Sequence, residues 1–108
     1  MHMHPLMIDL TGKKVVIIGG GEVGARKARF FAPVAEVTVI SRSFSHHLSG
    51  IDVKRIPCDI RNLPDGKIHA LLDRAFAVVA ATPDPSLNNR IGTLCREKGI
   101  LFNNASGD

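Results

Sequence analysis

The 108-residue chain is long enough for one globular domain. Its residues are 44% hydrophobic and 22% charged, which is typical of folded proteins and argues against intrinsic disorder. A net charge of +4 suits an acidic ligand, but the chain has no Trp or Tyr for the aromatic platform that would favour nucleic acid. Because no apolar stretch reaches the roughly 20 residues of a membrane span and the start is unlike a signal peptide, we expect a cytoplasmic protein without a membrane partner.

Strands and helices alternate in the first half of the chain. A β-branched run at 15–18 predicts a buried strand, and helical spacing predicts a helix from Glu22 that Pro33 closes. A second strand is predicted at 36–40. The polar segment 41–50 that follows it is expected to be a loop or an irregular helix.

The alternation continues to the end of the chain. A third strand that stops before Pro57, a brief helix and a fourth strand are predicted at 51–56, 67–73 and 76–81. Asp84 and Pro85 are typical of a helix start and Gly99 of a helix end, and 100–102 predicts a fifth strand. We therefore expect an α/β fold: a Rossmann-type parallel sheet of about five strands with flanking helices.

A glycine-rich turn follows the first predicted strand and opens the first predicted helix. Gly19 permits the tight turn, Gly21 lets the backbone approach a diphosphate, and Gly24 lets the helix pack closely on the strand. The helix start at Glu22 and Val23 offers backbone N–H groups and the positive end of the helix dipole to phosphates. This order of strand, Gly-x-Gly-x-x-Gly and helix predicts a site for an NAD-like dinucleotide; the alternative is a glycine turn that binds nothing.

The end of the second predicted strand leaves NAD and NADP open. Rossmann domains that bind NAD usually have an acidic residue there for the ribose hydroxyls, and this chain has Ser41 and Arg42 instead. With no carboxylate nearby to repel a 2′-phosphate, Arg42 could pair with one, which favours NADP or no preference. The alternative is that Arg42 is a solvated loop residue.

Polar residues near the later strands are further candidates, because open α/β sheets bind ligands at the carboxyl ends of their strands. Thr82 follows the fourth strand, Asn88 lies in the next helix, and Asn103 and Asn104 end the fifth strand. We predict that Thr82, Asn88 and Asn103 contact the cofactor.

No metal site is predicted. Cys58 and Cys95 lack metal-ligand spacing and are expected to be reduced, mostly buried thiols. His46 and His47 are adjacent, so their side chains point apart on any regular element, and a polar loop is the expected setting.

Segments 9–13, 19–28, 80–91 and 95–100 together resemble the precorrin-2 dehydrogenase (siroheme synthase N-terminal domain) family. The resemblance spans essentially the whole chain. Its most specific parts are the Arg-Lys pair after the glycine turn and the Ala-Ala-Thr run before the last helix.

The resemblance implies an enzyme that oxidises precorrin-2 to sirohydrochlorin with NAD as hydride acceptor, on the route to siroheme, and in some relatives also a ferrochelatase. The substrate is a tetrapyrrole polycarboxylate, which is consistent with the positive net charge. The resemblance also implies a homodimer formed through a helical C-terminal segment.

The sequence departs from the family pattern near its end. Where the family has an Asp as its acid/base or chelating residue, this chain has Ser106, and the nearest carboxylate is Asp108. Both are candidates for the catalytic position. We expect residues 1–108 to form the dinucleotide-binding domain, with the family's dimerisation and substrate segment absent from this chain.

Two other functions stay open from the sequence. One is a regulatory, nucleotide-sensing Rossmann domain without catalysis, although such domains typically have Asp at the end of the second strand. The other is a chelatase without dehydrogenase activity, which the missing family Asp favours.

Overall fold

The structure, a computed structural model, describes residues 8–105. They form five strands and three helices: β1 (Lys14–Ile18), α1 (Glu22–Phe31), β2 (Glu36–Ser41), β3 (Lys54–Pro57), α2 (Asp65–Leu71), β4 (Ala75–Ala80), α3 (Pro85–Lys98) and β5 (Leu101–Asn104). All paired strands are parallel, and the strand order is β3-β2-β1-β4-β5. The predicted α/β fold of Rossmann type is confirmed.

The central strand β1 is buried on both faces of the sheet. Val15 and Ile17 pack with α1, whereas Val16 and Ile18 pack with α2 and α3. Full burial of such a side chain stabilises the fold by about 1.5–3 kcal/mol, so both faces of this strand favour apolar residues. This is why β1 is a continuous β-branched run without polar alternation.

The strand order places a crevice at the centre of the sheet. From β1 the chain moves outward through β2 to β3, and it then crosses back to β4 on the other side of β1. At such a reversal the connections after neighbouring strands diverge, and ligands bind between them at the carboxyl ends of the strands.

Strand β3 differs from its prediction at both ends. It begins at Lys54 rather than Ile51, because the Ile51 and Val53 amides donate to the Leu48 and Ile51 carbonyls in a local turn. It also includes Pro57, which lies opposite Ser41. Proline is tolerated there because β3 is an edge strand.

The boundaries of three other segments also shift. Helix α2 begins two residues earlier than predicted, because the Pro64 carbonyl accepts hydrogen bonds from the amides of Lys67 and Ile68. The polar segment 41–50 contains a single 3₁₀ turn at His46–Leu48, which the Ser45 side chain caps. Strand β5 runs through Asn103 and Asn104, so both lie within the sheet rather than beyond it.

Candidate functional site: a cleft at the carboxyl edge of the sheet

A cleft of about 270 Å³ lies at the carboxyl ends of the strands, where the strand order reverses. Four segments at the carboxyl ends of β1, β2, β3 and β4 line it: 19–21, 41–43, 58–61 and 81–84. The predicted glycine turn, Ser41, Arg42 and Thr82 therefore lie around one space. Among residues 8–105, no group of three His, Cys, Asp or Glu could hold a metal ion, and no helix is long and apolar enough to cross a membrane.

The glycines of the turn have distinct roles. Gly19 has a φ of 119°, and a Cβ there would lie 2.6 Å from the Ala81 carbonyl oxygen. A Cβ at Gly24 would overlap the Gly19 carbonyl, so this glycine lets α1 lie close to the turn. Gly20 is needed as well, because its Cβ would overlap the Ser43 carbonyl, a constraint that the motif does not reveal.

Gly21 differs from the other three glycines. A Cβ there would meet no protein atom within 4 Å, and Gly21 lines the cleft. The space beside Gly21 is therefore open, and its lack of a side chain is not explained by packing within the described residues. A diphosphate fits this position, because the backbone can approach it without an intervening side chain.

The N-terminus of α1 opens onto this space without a side-chain cap. Gly21 is the N-cap residue and has no side chain that could accept from the first amides of the helix. Glu22 is exposed and Val23 is half-buried, and neither side chain lines the cleft. The phosphate binding predicted for these two residues therefore depends on their backbone N–H groups. These groups lie at the start of α1, where the helix dipole favours an anion.

A hydrogen-bonded corner forms the opposite wall, where β4 leads into α3. The Thr82 hydroxyl donates to Asn88 Oδ1 over 2.6 Å, and Asn88 Nδ2 donates to the Thr82 carbonyl over 2.9 Å. Asn88 is fully buried, so the structure places it behind the cleft wall, where it fixes Thr82. Thr82 itself lines the cleft.

The expectation that no carboxylate stands near the end of β2 is wrong. The Cys58 amide donates to the Ser41 carbonyl over 2.9 Å, and this pairing carries Asp59 into the same cleft as Arg42. The hydrogen bond from the Arg61 side chain, assisted by the charge of Arg42, holds the pKa of Asp59 below its ordinary value. The sequence alone does not indicate that Cys58, Asp59 and Arg61 line the cleft, because only strand pairing brings them there.

The remaining candidates lie elsewhere. Asn103 is exposed on the edge strand β5, opposite Val79, and does not line the cleft. Ser106 and Asp108, the candidates for the catalytic position, lie outside the described residues.

The family of the chain follows from its sequence. Residues 6–108 match the model of a family described as "Putative NAD(P)-binding". The chain belongs to this family. Membership agrees with the dinucleotide site predicted from the glycine turn and confirms the NAD(P) cofactor class.

Relatives of this NAD(P)-binding chain include enzymes of siroheme synthesis. A precorrin-2 dehydrogenase of Methanosarcina barkeri is 40% identical over 92% of the chain and 46% of its own length. A siroheme synthase of Sodalis glossinidius is 34% identical over 95% of the chain and 21% of its own length. The resemblance found in the sequence is confirmed, and the chain spans about half the length of the first relative and about a fifth of the second.

A solved structure shares the fold. SirC, a precorrin-2 dehydrogenase, superposes with a TM-score of 0.72 at 24% identity. The match covers 96% of this chain and 50% of that one. It supports the strand order and helix placement described above.

Proposed function

We propose that this chain carries the dinucleotide-binding domain of a dehydrogenase that oxidises precorrin-2 to sirohydrochlorin with NAD(P). The observation that carries the proposal is the uncapped start of α1 beside the open space at Gly21. Its support from relatives is the 40% identity to a precorrin-2 dehydrogenase over 92% of the chain.

The residues of the cleft supply binding and orientation. The bare backbone at Gly21 and the start of α1 would hold the diphosphate of the dinucleotide. Thr82, fixed by Asn88, would form a rigid wall beside it. When bound, the nicotinamide accepts a hydride from the substrate, so the hydride chemistry belongs to the cofactor.

Several parts of the function stay predictions. Ser106 and Asp108 are candidates for the acid/base, and ferrochelatase activity, a homodimer and a cytoplasmic location are expected from the family resemblance or the composition. The tetrapyrrole polycarboxylate substrate belongs to the proposal, and the positive net charge supports it.

Anaerobic incubation of the full-length protein with precorrin-2 and either NAD or NADP tests the proposal. We expect the absorbance of the reduced nucleotide to rise together with that of sirohydrochlorin. The matched control is Gly21→Asp, which puts a carboxylate where the diphosphate would lie without a steric clash with the protein. This variant should stay folded and lose turnover.

Two results would favour the other functions. A folded full-length protein that binds NADH but forms no product with either nucleotide would indicate a nucleotide sensor. Metal insertion into sirohydrochlorin that needs no nucleotide and survives Gly21→Asp would indicate a chelatase.

A further inference from the structure

Three charged side chains line the part of the cleft where β2 and β3 end. Arg42 follows β2, and Asp59 and Arg61 follow β3. In Rossmann domains the ribose that distinguishes NAD from NADP lies at the end of the second strand. These three side chains are therefore placed where they can distinguish the 2′-hydroxyl of NAD from the 2′-phosphate of NADP.

Asp59 is the only one of the three that could bind ribose hydroxyls as an acceptor, and its oxygens already have partners. Its Oδ1 accepts from the Arg61 backbone N–H over 3.2 Å and from Arg61 Nε over 3.1 Å. Its Oδ2 accepts from Arg61 Nη2 over 3.1 Å and from Asn62 Nδ2 over 3.3 Å. Since a carboxylate offers about four acceptor positions, little capacity is left for a ribose.

The Arg61 guanidinium also balances the charge of Asp59. The guanidinium donates a hydrogen bond to each of the two carboxylate oxygens. Such bidentate pairs combine opposite charge with well-directed hydrogen bonds and are among the stronger hydrogen-bonded pairs. The side chains of Asp59 and Arg61 are 25% and 44% exposed, so the pair lies at the mouth of the cleft. An aspartate carboxylate is ionised at neutral pH, and the hydrogen bond from the Arg61 side chain lowers the pKa of Asp59 further.

Arg42 is the charge that this pair leaves uncompensated. It is exposed and forms no hydrogen bond or ion pair with another residue in the described range 8–105, although it lies close enough to lower the pKa of Asp59. Two guanidinium groups and one carboxylate make this wall net positive. A guanidinium without a fixed partner suits a phosphate, which it can bind through two parallel hydrogen bonds.

We propose that Arg42 binds the 2′-phosphate of NADP, and that Arg61 determines this specificity by neutralising the Asp59 carboxylate that would otherwise repel it. The inference rests on the dinucleotide binding proposed above. It requires that the chain bind NADPH at least as tightly as NADH.

The test compares the Kd of NADPH with that of NADH for the chain and its variants, measured by calorimetric titration. Arg42→Gln should weaken NADPH binding about tenfold and leave NADH nearly unchanged. Arg61→Gln should free the Asp59 carboxylate and shift the preference about tenfold toward NADH, whereas Asp59→Asn should shift it toward NADPH. The matched control Arg96→Gln removes the same charge from an exposed position on α3 outside the cleft, and should leave the ratio unchanged.

Each outcome decides between this inference and the proposed function. If the chain binds NADH more tightly than NADPH, or if Arg42→Gln leaves the ratio unchanged, the inference is wrong and dinucleotide binding stands. If neither nucleotide binds, the proposed function fails and the inference with it. If circular dichroism shows that Arg61→Gln does not fold, Arg42→Gln and Asp59→Asn still decide the question, because neither removes the Arg61 side chain.

Discussion

The junction between β1 and α1 and the junction between β4 and α3 differ in how the N-terminus of the helix is capped. At the start of α3 the Asp84 carboxylate accepts from the amides of Ser86 and Leu87, over 3.0 and 3.3 Å, and Pro85 has no amide to satisfy. At the start of α1 the N-cap is Gly21, without any side-chain cap. β1 and β4 are paired, so both junctions face the same cleft.

The difference shows which helix start is available to a ligand. The N-terminus of α3 already holds an anion, the carboxylate of Asp84, and this satisfies its first amides. The N-terminus of α1 lacks such a group, because its N-cap residue is a glycine without a side chain. Together with the open space at Gly21, the uncapped helix is the feature that favours a bound diphosphate.

The largest effect is expected from Gly21→Asp, which gives α1 an aspartate N-cap like that of α3. The new carboxylate should accept from the first amides of α1 and repel the diphosphate, so we expect NADH affinity to fall about a hundredfold or more. The free energy of unfolding should rise by only about 0.2–0.5 kcal/mol, because glycine is itself a tolerated N-cap residue. Calorimetric titration and urea unfolding measure the two effects, and unchanged affinity would place the diphosphate elsewhere.

The close approach of α1 to its strand is tested by Gly24→Ala. Its Cβ would overlap the Gly19 carbonyl, so we expect a loss of about 2–3 kcal/mol in the free energy of unfolding. The control is Gly66→Ala in α2, where a Cβ would meet nothing within 4 Å and should add about 0.5–1 kcal/mol. Urea unfolding of both variants checks this. Similar effects at the two sites would show that the contact at Gly24 is unimportant.

The rigid wall at the other junction is tested by Asn88→Ala. The change removes two hydrogen-bond partners from Thr82 in a buried setting, and we expect a loss of about 2 kcal/mol. Asn89→Ala, at an exposed position on the same helix, should change stability by less than about 0.5 kcal/mol. Thermal unfolding gives the Tm of both variants. An equal Tm would show that the hydrogen bonds between Asn88 and Thr82 do not stabilise the fold.

The smallest effect is expected from the cap of α3 itself. Asp84→Ala leaves the amides of Ser86 and Leu87 without their acceptor, and should lower the free energy of unfolding by about 1 kcal/mol. Asp84→Asn retains a capping oxygen and should restore most of that loss. If urea unfolding shows the same loss for both variants, the cap does not stabilise α3.

The sequence predicted those features of this protein that depend on short stretches of chain. The continuous β-branched run of β1 indicates a strand that is buried on both faces of the sheet. Asp84 and Gly99 indicate the two ends of α3, because a capping residue acts within one turn of the helix. Gly19 and Gly24 were predicted from their spacing alone. Strand β3 was placed less well, because local turn bonds and its edge position determine where pairing starts and stops.

Only the tertiary structure decided which side chains meet at the cleft. Asp59 lies 17 positions after Arg42 in the sequence, and the two meet because β3 pairs with β2. Asn88 has the polar character of a ligand-binding residue, yet folding buries it behind Thr82. Local patterns determine where helices and strands form, whereas contacts between distant segments depend on how the sheet aligns its strands, which no short stretch of sequence encodes.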